Sequence, residues 1–260
     1  MGILNVTPDS FFDGGAFPDA KAIRARAETM ADEGAHWLDI GAESSRPGAQ
    51  PVTLEEELRR LLPALEAVEN FPVSRSVDTY RAETARRALE LGATMINDIT
   101  ACRADPEMPA LIAEKGCPCV LMHMQGNPKT MQAAPQYEDI IDDISAFFEE
   151  RITTLIKSGV REDQLWLDPG FGFGKTVQHN LDILRRLGEF QKFGRPLLIG
   201  TSNKSTIGAI LDLPLQERTE GTAATVALAI AAGASCVRVH DVKTMARVAK
   251  MTDAVCNKPI

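Results

Sequence analysis

Short apolar runs alternate with amphipathic stretches along almost the whole chain of 260 residues. Each apolar run ends in polar residues and is typical of a buried strand, whereas the stretches between them place apolar residues at helical spacing. The pattern predicts strands over 2–5, 37–40, 73–77, 95–99, 119–122, 165–167, 196–199 and 236–241. It predicts helices over 21–33, 54–68, 82–91, 109–115, 137–158, 181–187, 222–232 and 245–255.

This alternation of strands and helices indicates a parallel sheet that helices cover on its outer face. Eight such units in 260 residues favour a closed (β/α)8 barrel, typically about 250 residues long, over an open doubly wound sheet. No G-x-G-x-x-G motif follows the first strand, which argues against a dinucleotide-binding fold. We therefore expect an α/β fold with one TIM-barrel domain over residues 1–260. Because the chain begins inside the first strand, a natural N-terminal segment could be missing.

Composition narrows the class of protein. The net charge is -8, and no basic stripe is present, so we expect no nucleic-acid partner. No signal peptide and no apolar run long enough to cross a bilayer is present, so we expect no membrane partner. The five cysteines are scattered, which favours reduced thiols, no disulfide framework and a cytoplasmic location.

The most informative stretch is 168–176, in which Asp168 follows an apolar run and three glycines, two phenylalanines and a lysine follow it. A strand that ends at Asp168 would place its carboxylate at the mouth of the barrel, where the active sites of such barrels lie. The glycines allow positive φ angles or a close approach of the backbone to a ligand. A turn before a helix would explain the glycines alone. The acid and the aromatic side chains together favour a binding site.

Polar residues also end the other predicted strands. Loop starts are commonly polar, and we expect a purely structural role for Asp39, Glu43 and Asp98. His123 and Gln125 could either line the cavity or pack against it. The set as a whole points to a site, because acids, amides and cations converge on one mouth. Its members are Asn5, Asp39, Glu43, Asp78, Asn97, Asp98, His123, Gln125, Asp168, Ser202, Lys204, Ser205, Arg238, His240 and Asp241.

The chemistry of these residues divides the site. Carboxylates pair with adjacent N–H groups in charge-assisted bonds, which suits a flat heterocycle with an amidine-like edge. The residues of this kind are Asp78, Asn97, Asp168 and Lys204. Arg238 and His240 are two positions apart on a predicted strand, so they point to one face and suit phosphate oxygens. The amide oxygen of Asn5 suits Mg2+ when phosphate and water complete the shell, and Arg46 could reach the same anion.

Motifs along the entire chain resemble dihydropteroate synthase, a family of the pterin-binding TIM-barrel superfamily. The matching stretches are 2–11, 39–49, 76–79, 96–99, 121–126, 168–176, 204–205 and 238–242. The resemblance implies a transferase that joins 6-hydroxymethyl-7,8-dihydropterin pyrophosphate to p-aminobenzoate, giving 7,8-dihydropteroate and pyrophosphate. It also implies Mg2+ as cofactor, small molecules as the substrates, and a homodimer.

The resemblance also implies a role for each matching position. Pterin would bind Asp78, Asn97, Asp168 and Lys204, of which Asp168, Asp78 and Lys204 would be catalytic. Pyrophosphate would bind Arg46, Arg238 and His240, with Mg2+ at Asn5. The p-aminobenzoate site would include Phe11, Ser45, Pro47, Phe173, Lys204 and Ser205, with Arg46 beside it.

Four positions depart from the family pattern. Asn203 stands where an arginine is usual, Ala42 replaces a glycine, Ser45 a threonine and Phe12 a serine. Asn203 removes a positive charge, which leaves a catalytically weak pterin-binding homologue as an alternative. A methyltetrahydrofolate:corrinoid methyltransferase is a second alternative, because it shares the pterin-site carboxylates. The Arg238–His240 pair argues against it, since that enzyme needs no pyrophosphate site.

Overall fold

The computed structural model describes residues 1–7, 19–46 and 48–256. These ranges contain eight strands: β1 (Gly2–Asn5), β2 (Trp37–Gly41), β3 (Ser74–Asp78), β4 (Met95–Asp98), β5 (Cys119–Met122), β6 (Leu165–Asp168), β7 (Leu198–Ile199) and β8 (Cys236–Val237). They also contain nine α-helices: α1 (Ala20–Asp32), α2 (Leu54–Ala67), α3 (Ala82–Glu90), α4 (Met108–Lys115), α5 (Ile140–Lys157), α6 (Val177–Arg186), α7 (Ser205–Leu211), α8 (Thr219–Ala231) and α9 (Val242–Val255).

The strands form a closed parallel barrel, as the alternating pattern predicts. Strands β1 to β6 pair in sequence order, and β7 pairs with β8. Bridges between Leu167 and Leu197 and between Gly2 and Val239 join the two groups at both edges. The N–H of Val239 donates to the carbonyl of Met1 at 2.9 Å, and the N–H of Leu167 donates to that of Pro196 at 2.9 Å. The predicted TIM barrel is therefore confirmed.

All the predicted strands and helices are present, with ends that differ by at most four residues, and one further helix, α7, was not predicted. Strand β8 ends at Val237, not at residue 241, because its partner β7 ends at Ile199 and no ladder continues beyond it. The N–H of Arg238 still donates to the Ile199 carbonyl at 2.9 Å, so the chain follows the barrel past the strand. Helix α7 was not predicted, because it is short and its buried residues, 206–208, show no helical period of apolar side chains.

Apolar side chains close one end of the barrel and leave the other end polar. A cluster at the first residues of the strands contains Met1, Trp37, Met95, Val120, Trp166, Leu198 and Cys236. A larger cluster fills the space between the strands and the surrounding helices. This packing leaves the carboxyl ends of the strands for polar residues, where the active sites of such barrels lie.

Side chains cap the helices that fix this geometry. Thr53 accepts a hydrogen bond from the N–H of Glu56, and Glu55, Glu56 and Glu57 occupy the first turn of α2, where the helix dipole favours acids. Asp241 caps α9 by accepting from the N–H of Thr244. None of the described helices has both the length and the apolar character needed to cross a membrane.

Candidate active site

Arg238 lies at the centre of a buried polar cluster at the carboxyl ends of β2, β3 and β4. Its Nε donates to Oδ2 of Asp39 at 2.6 Å, and its Nη2 donates to Oδ2 of Asp78 at 2.9 Å. Asn97 Nδ2 donates to the same Asp39 oxygen at 3.0 Å. The structure thus brings three predicted site residues, Asp78, Asn97 and Arg238, into one network. Asp39, for which we expected a structural role, connects two of them.

The charges of this cluster depend on one another. Burial raises the pKa of Asp78 to about 7; Arg238 opposes this rise, whereas Asp39 and other neighbouring carboxylates add to it. Burial alone would lower the pKa of Arg238, but Asp39 and Asp78 raise it above its usual value, so the guanidinium stays positive. Oδ1 of Asp39 is buried and has no hydrogen-bond partner among the described residues. It is a buried acceptor that still lacks a donor.

Asp168, the last residue of β6, faces the same mouth in a different environment. Its side chain is buried, and its Oδ1 accepts a hydrogen bond of 2.7 Å from the N–H of Gly170. Gly170 has φ +69°, and a Cβ there would lie 1.9 Å from the His123 carbonyl oxygen, so only glycine fits. Burial raises the pKa of Asp168 to about 6, and the N–H of Gly170, Lys204 and Lys175 oppose the rise. The carboxylate is therefore mostly ionised at neutral pH.

Lys204 and Phe173 form a second part of the mouth. Nζ of Lys204 lies 4.0 Å from the centroid of the Phe173 ring, within the range of a cation–π contact. Gly172 allows this approach, because a Cβ there would lie 3.0 Å from Cδ of Lys204. Burial lowers the pKa of Lys204 to about 8, and the charge of Arg238 adds to this effect. A flat aromatic face and an ammonium group are thus held side by side.

His240 is held at the edge of the cluster by Ser202. Its Nδ1 lies 3.0 Å from Ser202 Oγ, which also accepts the His240 N–H at 3.2 Å. Burial lowers the pKa of His240 to about 4, and the charges of Arg238, Arg46, Lys204 and Arg26 add to the effect. A neutral imidazole among several cations can donate a hydrogen bond where an anion would bind.

The remaining predicted residues have different positions. Asn5 ends β1 and is half-buried, Ser45 is half-buried, Arg46 is exposed and Ser205 is the exposed first residue of α7. Phe11 and Pro47 lie outside the described residues, as does Phe12. Their predicted roles in the p-aminobenzoate site stay predictions.

Two residues for which we expected structural roles have contacts of that kind. Asp98 accepts hydrogen bonds from the N–H groups of Thr100 and Cys102 in its own loop. Glu43 accepts from Tyr80 Oη at 2.8 Å and from Arg81 Nη1 at 3.1 Å. Gln125 is engaged with the backbone of Gln136, so it packs against the loop.

Three further residues support the site: Asp39 and Ser202, whose partners sequence reasoning did not predict, and Lys175, to which it assigned no role. Asp39 and Ser202 were recognised as polar residues at strand ends, but nothing local in the sequence shows their partners. Lys175 is buried, with 3% of its surface exposed, whereas lysines are almost never buried. The one signal for Lys175 was its position in a run otherwise made of glycines and aromatic residues.

A closed barrel whose mouth holds buried carboxylates, an amide and several cations is typical of a TIM-barrel enzyme with its active site at that face. The family model described as "Pterin binding enzyme" matches residues 1–240. The dihydropteroate synthase of Synechocystis is 48% identical over 257 residues, which are 98% of this chain and 89% of that protein. The dihydropteroate synthase of Escherichia coli K12 is 46% identical over 98% of this chain and 90% of that protein. The chain therefore belongs to the dihydropteroate synthase family.

Solved structures agree with this assignment. The Yersinia pestis dihydropteroate synthase, in a complex with a sulfonamide drug, superposes with a TM-score of 0.93 at 43% identity, covering 99% of this chain and 94% of that one. The Xanthomonas albilineans dihydropteroate synthase with 4-aminobenzoic acid gives a TM-score of 0.92 at 41% identity, covering 100% and 93%. The similarity extends over the whole barrel.

Proposed function

We propose that this protein condenses 6-hydroxymethyl-7,8-dihydropterin pyrophosphate with p-aminobenzoate, forming 7,8-dihydropteroate and releasing pyrophosphate. The observation that carries the proposal is the convergence of acceptor groups and cations at one barrel mouth. The acceptors are Asp78, Asn97 and Asp168, and the cations include Lys204 and Arg238. They lie in a chain that is 48% identical to a dihydropteroate synthase over almost its whole length.

The carboxylates and the amide fit the polar edge of a pterin. An ionised carboxylate accepts from two adjacent N–H groups, and burial strengthens such bonds because little water competes for them. Asp168 offers acceptor capacity beyond its one bond to Gly170. Asn97 and Asp78 lie on neighbouring strands, which are paired Asp78 to Asn97 in the parallel register. We assign pterin binding to these three residues together with Lys204.

The reaction breaks the C–O bond between the pterin methylene and pyrophosphate. The electron pair leaves with the pyrophosphate oxygen, and the positive charge is delocalised over the pterin ring. The amine of p-aminobenzoate then forms the C–N bond with its lone pair and loses a proton. Asp168 is mostly ionised at neutral pH, so it stabilises the cation electrostatically as it forms, with Asp78 in support. No nucleophilic side chain of the protein is required.

Arg238, His240 and Arg46 suit the leaving pyrophosphate. The charges of Arg238 and Arg46 both act on His240, which supports placing the three groups around one anion. We assign Mg2+ to Asn5 at the end of β1, because its side chain offers one amide oxygen and pyrophosphate with water would complete the shell. When bound, Mg2+ would neutralise charge on the leaving group.

The aromatic part of the mouth suits p-aminobenzoate. The Phe173 ring offers a flat face, and Lys204 offers a cation for a carboxylate or for the developing charge. Ser205 lies next in the chain and Ser45 approaches from the loop after β2. Phe11 and Pro47 complete the proposed site. Because the Yersinia pestis relative forms a complex with a sulfonamide drug, we also expect this site to accept a sulfonamide.

We also propose a homodimer and a cytoplasmic location for the single domain over residues 1–260. Helices α8 and α9 pack together and expose apolar side chains: Leu228 is 60%, Met251 65% and Val255 68% exposed. A second copy of the chain would cover this face. The five cysteines are unpaired, which favours a reducing compartment. Sedimentation of the wild type and of Leu228→Glu would test the dimer, and a monomeric wild type would contradict it.

The assay for this function mixes pterin pyrophosphate, p-aminobenzoate and Mg2+ and measures both products. We expect dihydropteroate and pyrophosphate in equal amounts. Pterin binding without pyrophosphate release would favour the catalytically weak homologue, for which Asn203 is the supporting residue. Methyl transfer from methyltetrahydrofolate to a corrinoid would favour the methyltransferase, against which the Arg238–His240 arrangement argues.

A further inference from the structure

A lysine lies buried beneath the loop that connects Asp168 to Phe173. Nζ of Lys175 donates to the Phe173 carbonyl at 3.0 Å and to the His123 carbonyl at 3.3 Å, and it lies 3.0 Å from His123 Nδ1. A lysine ammonium has three donors, and these three acceptors match them. Among the described residues, Lys175 forms no ion pair within 4 Å. Its charge is therefore held by backbone and imidazole groups, not by a carboxylate.

His123 is shaped to accept this hydrogen bond. Burial, together with the charges of Lys175 and Arg103, lowers the pKa of His123 to about 2, so its ring is neutral. A neutral imidazole can accept at Nδ1 when its proton lies on Nε2. The ring packs edge-on against Phe147 at 4.9 Å between centroids. His123 therefore offers Lys175 a fixed acceptor at the end of β5.

These contacts tie the loop after β6 to the end of β5. The N–H of His123 donates to the Asp168 carbonyl at 2.9 Å, so the two strands remain paired up to this point. Beyond it, Lys175 bonds to the carbonyls of His123 and Phe173, one on each side. The hydroxyl of Tyr137 donates to the Gly174 carbonyl at 2.7 Å and holds the loop from the outside. The position of the Phe173 ring, and its contact with Lys204, depends on this loop.

Lys175 also contributes charge to the site. The cations that act on Asp168 come from three elements: Lys204 from the loop after β7, Lys175 from the loop after β6, and Arg238 after β8. His123, the other titratable group beside Lys175, is neutral. Burial lowers the pKa of Lys175 to about 7; the charge of Asp168 opposes this fall, and that of Lys204 adds to it. Lys175 is therefore mostly protonated near pH 6, where Asp168 titrates. Each cation favours the ionised form of a buried carboxyl, which burial alone would disfavour.

We propose that Lys175 is a positioning residue for the reaction: it fixes Phe173 at the p-aminobenzoate site, and it places its ammonium group beside Gly170, whose N–H holds the Asp168 carboxylate. Lys175 acts through these two residues and contacts neither substrate. The inference rests on the proposed function, and it adds a residue for which the family resemblance supplied no role. Its two parts are separable, because hydrogen bonding fixes the loop whereas charge acts on the carboxylate.

Two variants separate the effect of the Lys175 hydrogen bonds on the loop from the effect of its charge on Asp168. Lys175→Met removes both the donors and the charge, whereas Lys175→Gln removes the charge but retains an amide with two N–H donors. Lys192→Met is the matched control, because Lys192 is exposed and lies outside the proposed site. The measurements are kcat and both KM values, the pH dependence of kcat/KM, and thermal unfolding. Wild-type turnover in the same assay tests the proposed function independently of the variants.

We expect Lys175→Met to raise the KM for p-aminobenzoate about tenfold, because a small displacement of a positioned group has large kinetic effects. The pH below which kcat/KM falls should rise by about one unit, because Asp168 loses a nearby opposite charge. Lys175→Gln should have a KM for p-aminobenzoate closer to that of the wild type, but its pH profile should be shifted as in Lys175→Met.

Three results would overturn the inference while the wild type stays active. The first is a KM and a pH profile that neither variant changes. The second is a loss of kcat while the KM for p-aminobenzoate and the pH profile both stay as in the wild type. The third is a failure of both variants to fold, which would assign Lys175 a role in stability alone.

Discussion

The carboxylates on the two sides of the barrel mouth differ in whether they form direct ion pairs. On the side of β2 and β3, the carboxylates of Asp39 and Asp78 are paired directly with Arg238 at 2.6 and 2.9 Å. On the side of β6, Asp168 accepts from the N–H of Gly170, and neither Lys175 nor Lys204 forms an ion pair with it in the described part of the chain. The cations there contact carbonyls or an aromatic ring.

This difference assigns the two sides different roles. A carboxylate that is already paired with a cation is held in a fixed position by that cation. We therefore expect it to contribute mainly to recognition of the substrate. A carboxylate without a direct counter-ion interacts most strongly with a charge that develops during the reaction. We therefore assign substrate recognition mainly to the paired side and stabilisation of the pterin cation mainly to Asp168.

The largest expected effect is the loss of stability in Arg238→Met. Asp39 is completely buried, so removing its partner leaves an uncompensated charge, at a cost of about 3–5 kcal/mol. Denaturant unfolding at pH 8 would measure this loss, because Asp78 is then mostly ionised. Arg185→Met is the control: its ion pair with Asp182 is exposed, and we expect less than about 1 kcal/mol. Equal small losses in both variants would contradict the distinction between the two sides.

The next effect is on rate. Asp168→Asn should lower kcat about 100-fold or more, the range seen when one group that stabilises transition-state charge is removed. Steady-state turnover and circular dichroism would measure the rate and check the fold. Asp163→Asn is the control, since Asp163 is exposed and lies outside the site. Near-normal turnover in Asp168→Asn would rule out its proposed role.

A third prediction concerns pH. Burial raises the pKa of Asp168 to about 6, so its carboxylate becomes protonated as the pH falls through that value. Activity should then fall with decreasing pH, about tenfold per unit below pH 6. Burial also raises the pKa of Asp78 to about 7, so protonation of Asp78 should begin the fall at a higher pH. His240, with its pKa lowered to about 4, is neutral throughout this window and contributes no change of charge.

Asp168→Asn supplies the control for this pH profile, because any remaining dependence belongs to the substrate or to other groups. The same acid limb in the wild type and in Asp168→Asn would assign the titration elsewhere.

The smallest effect concerns Asn203, which lies on the β7 side of the mouth. Its φ of 59° is left-handed, a conformation that asparagine tolerates better than most residues. We expect Asn203→Arg to lower the KM for pterin pyrophosphate about twofold to fivefold, in keeping with a partly exposed charge. Asn203→Gln introduces similar backbone strain without the charge. If both variants have the wild-type KM, the departure from the family pattern is neutral.

The sequence was sufficient to predict what depends on local pattern. Alternating apolar runs predicted the barrel, and Asp168 was placed at a strand end because Leu165, Trp166 and Leu167 precede it.

What the sequence could not show depends on contacts between distant positions. Arg238 is separated from Asp39 by 199 positions and from Asp78 by 160, so no local signal predicted that the proposed phosphate and pterin residues share one network. Lys175 escaped notice because its burial depends on the packing of His123 against the loop after β6. Helix α7 escaped because it is too short to show a period.

The most direct test of the different roles compares Asp168→Asn with Asp78→Asn. For each variant, single-turnover pyrophosphate release measures the chemical step, and equilibrium titration measures the Kd of pterin pyrophosphate. We predict that Asp168→Asn loses rate while its Kd stays within about threefold of the wild type, as for a group that acts mainly on the transition state. Asp78→Asn should mainly weaken binding. Equal losses of rate and affinity in both variants would contradict the account.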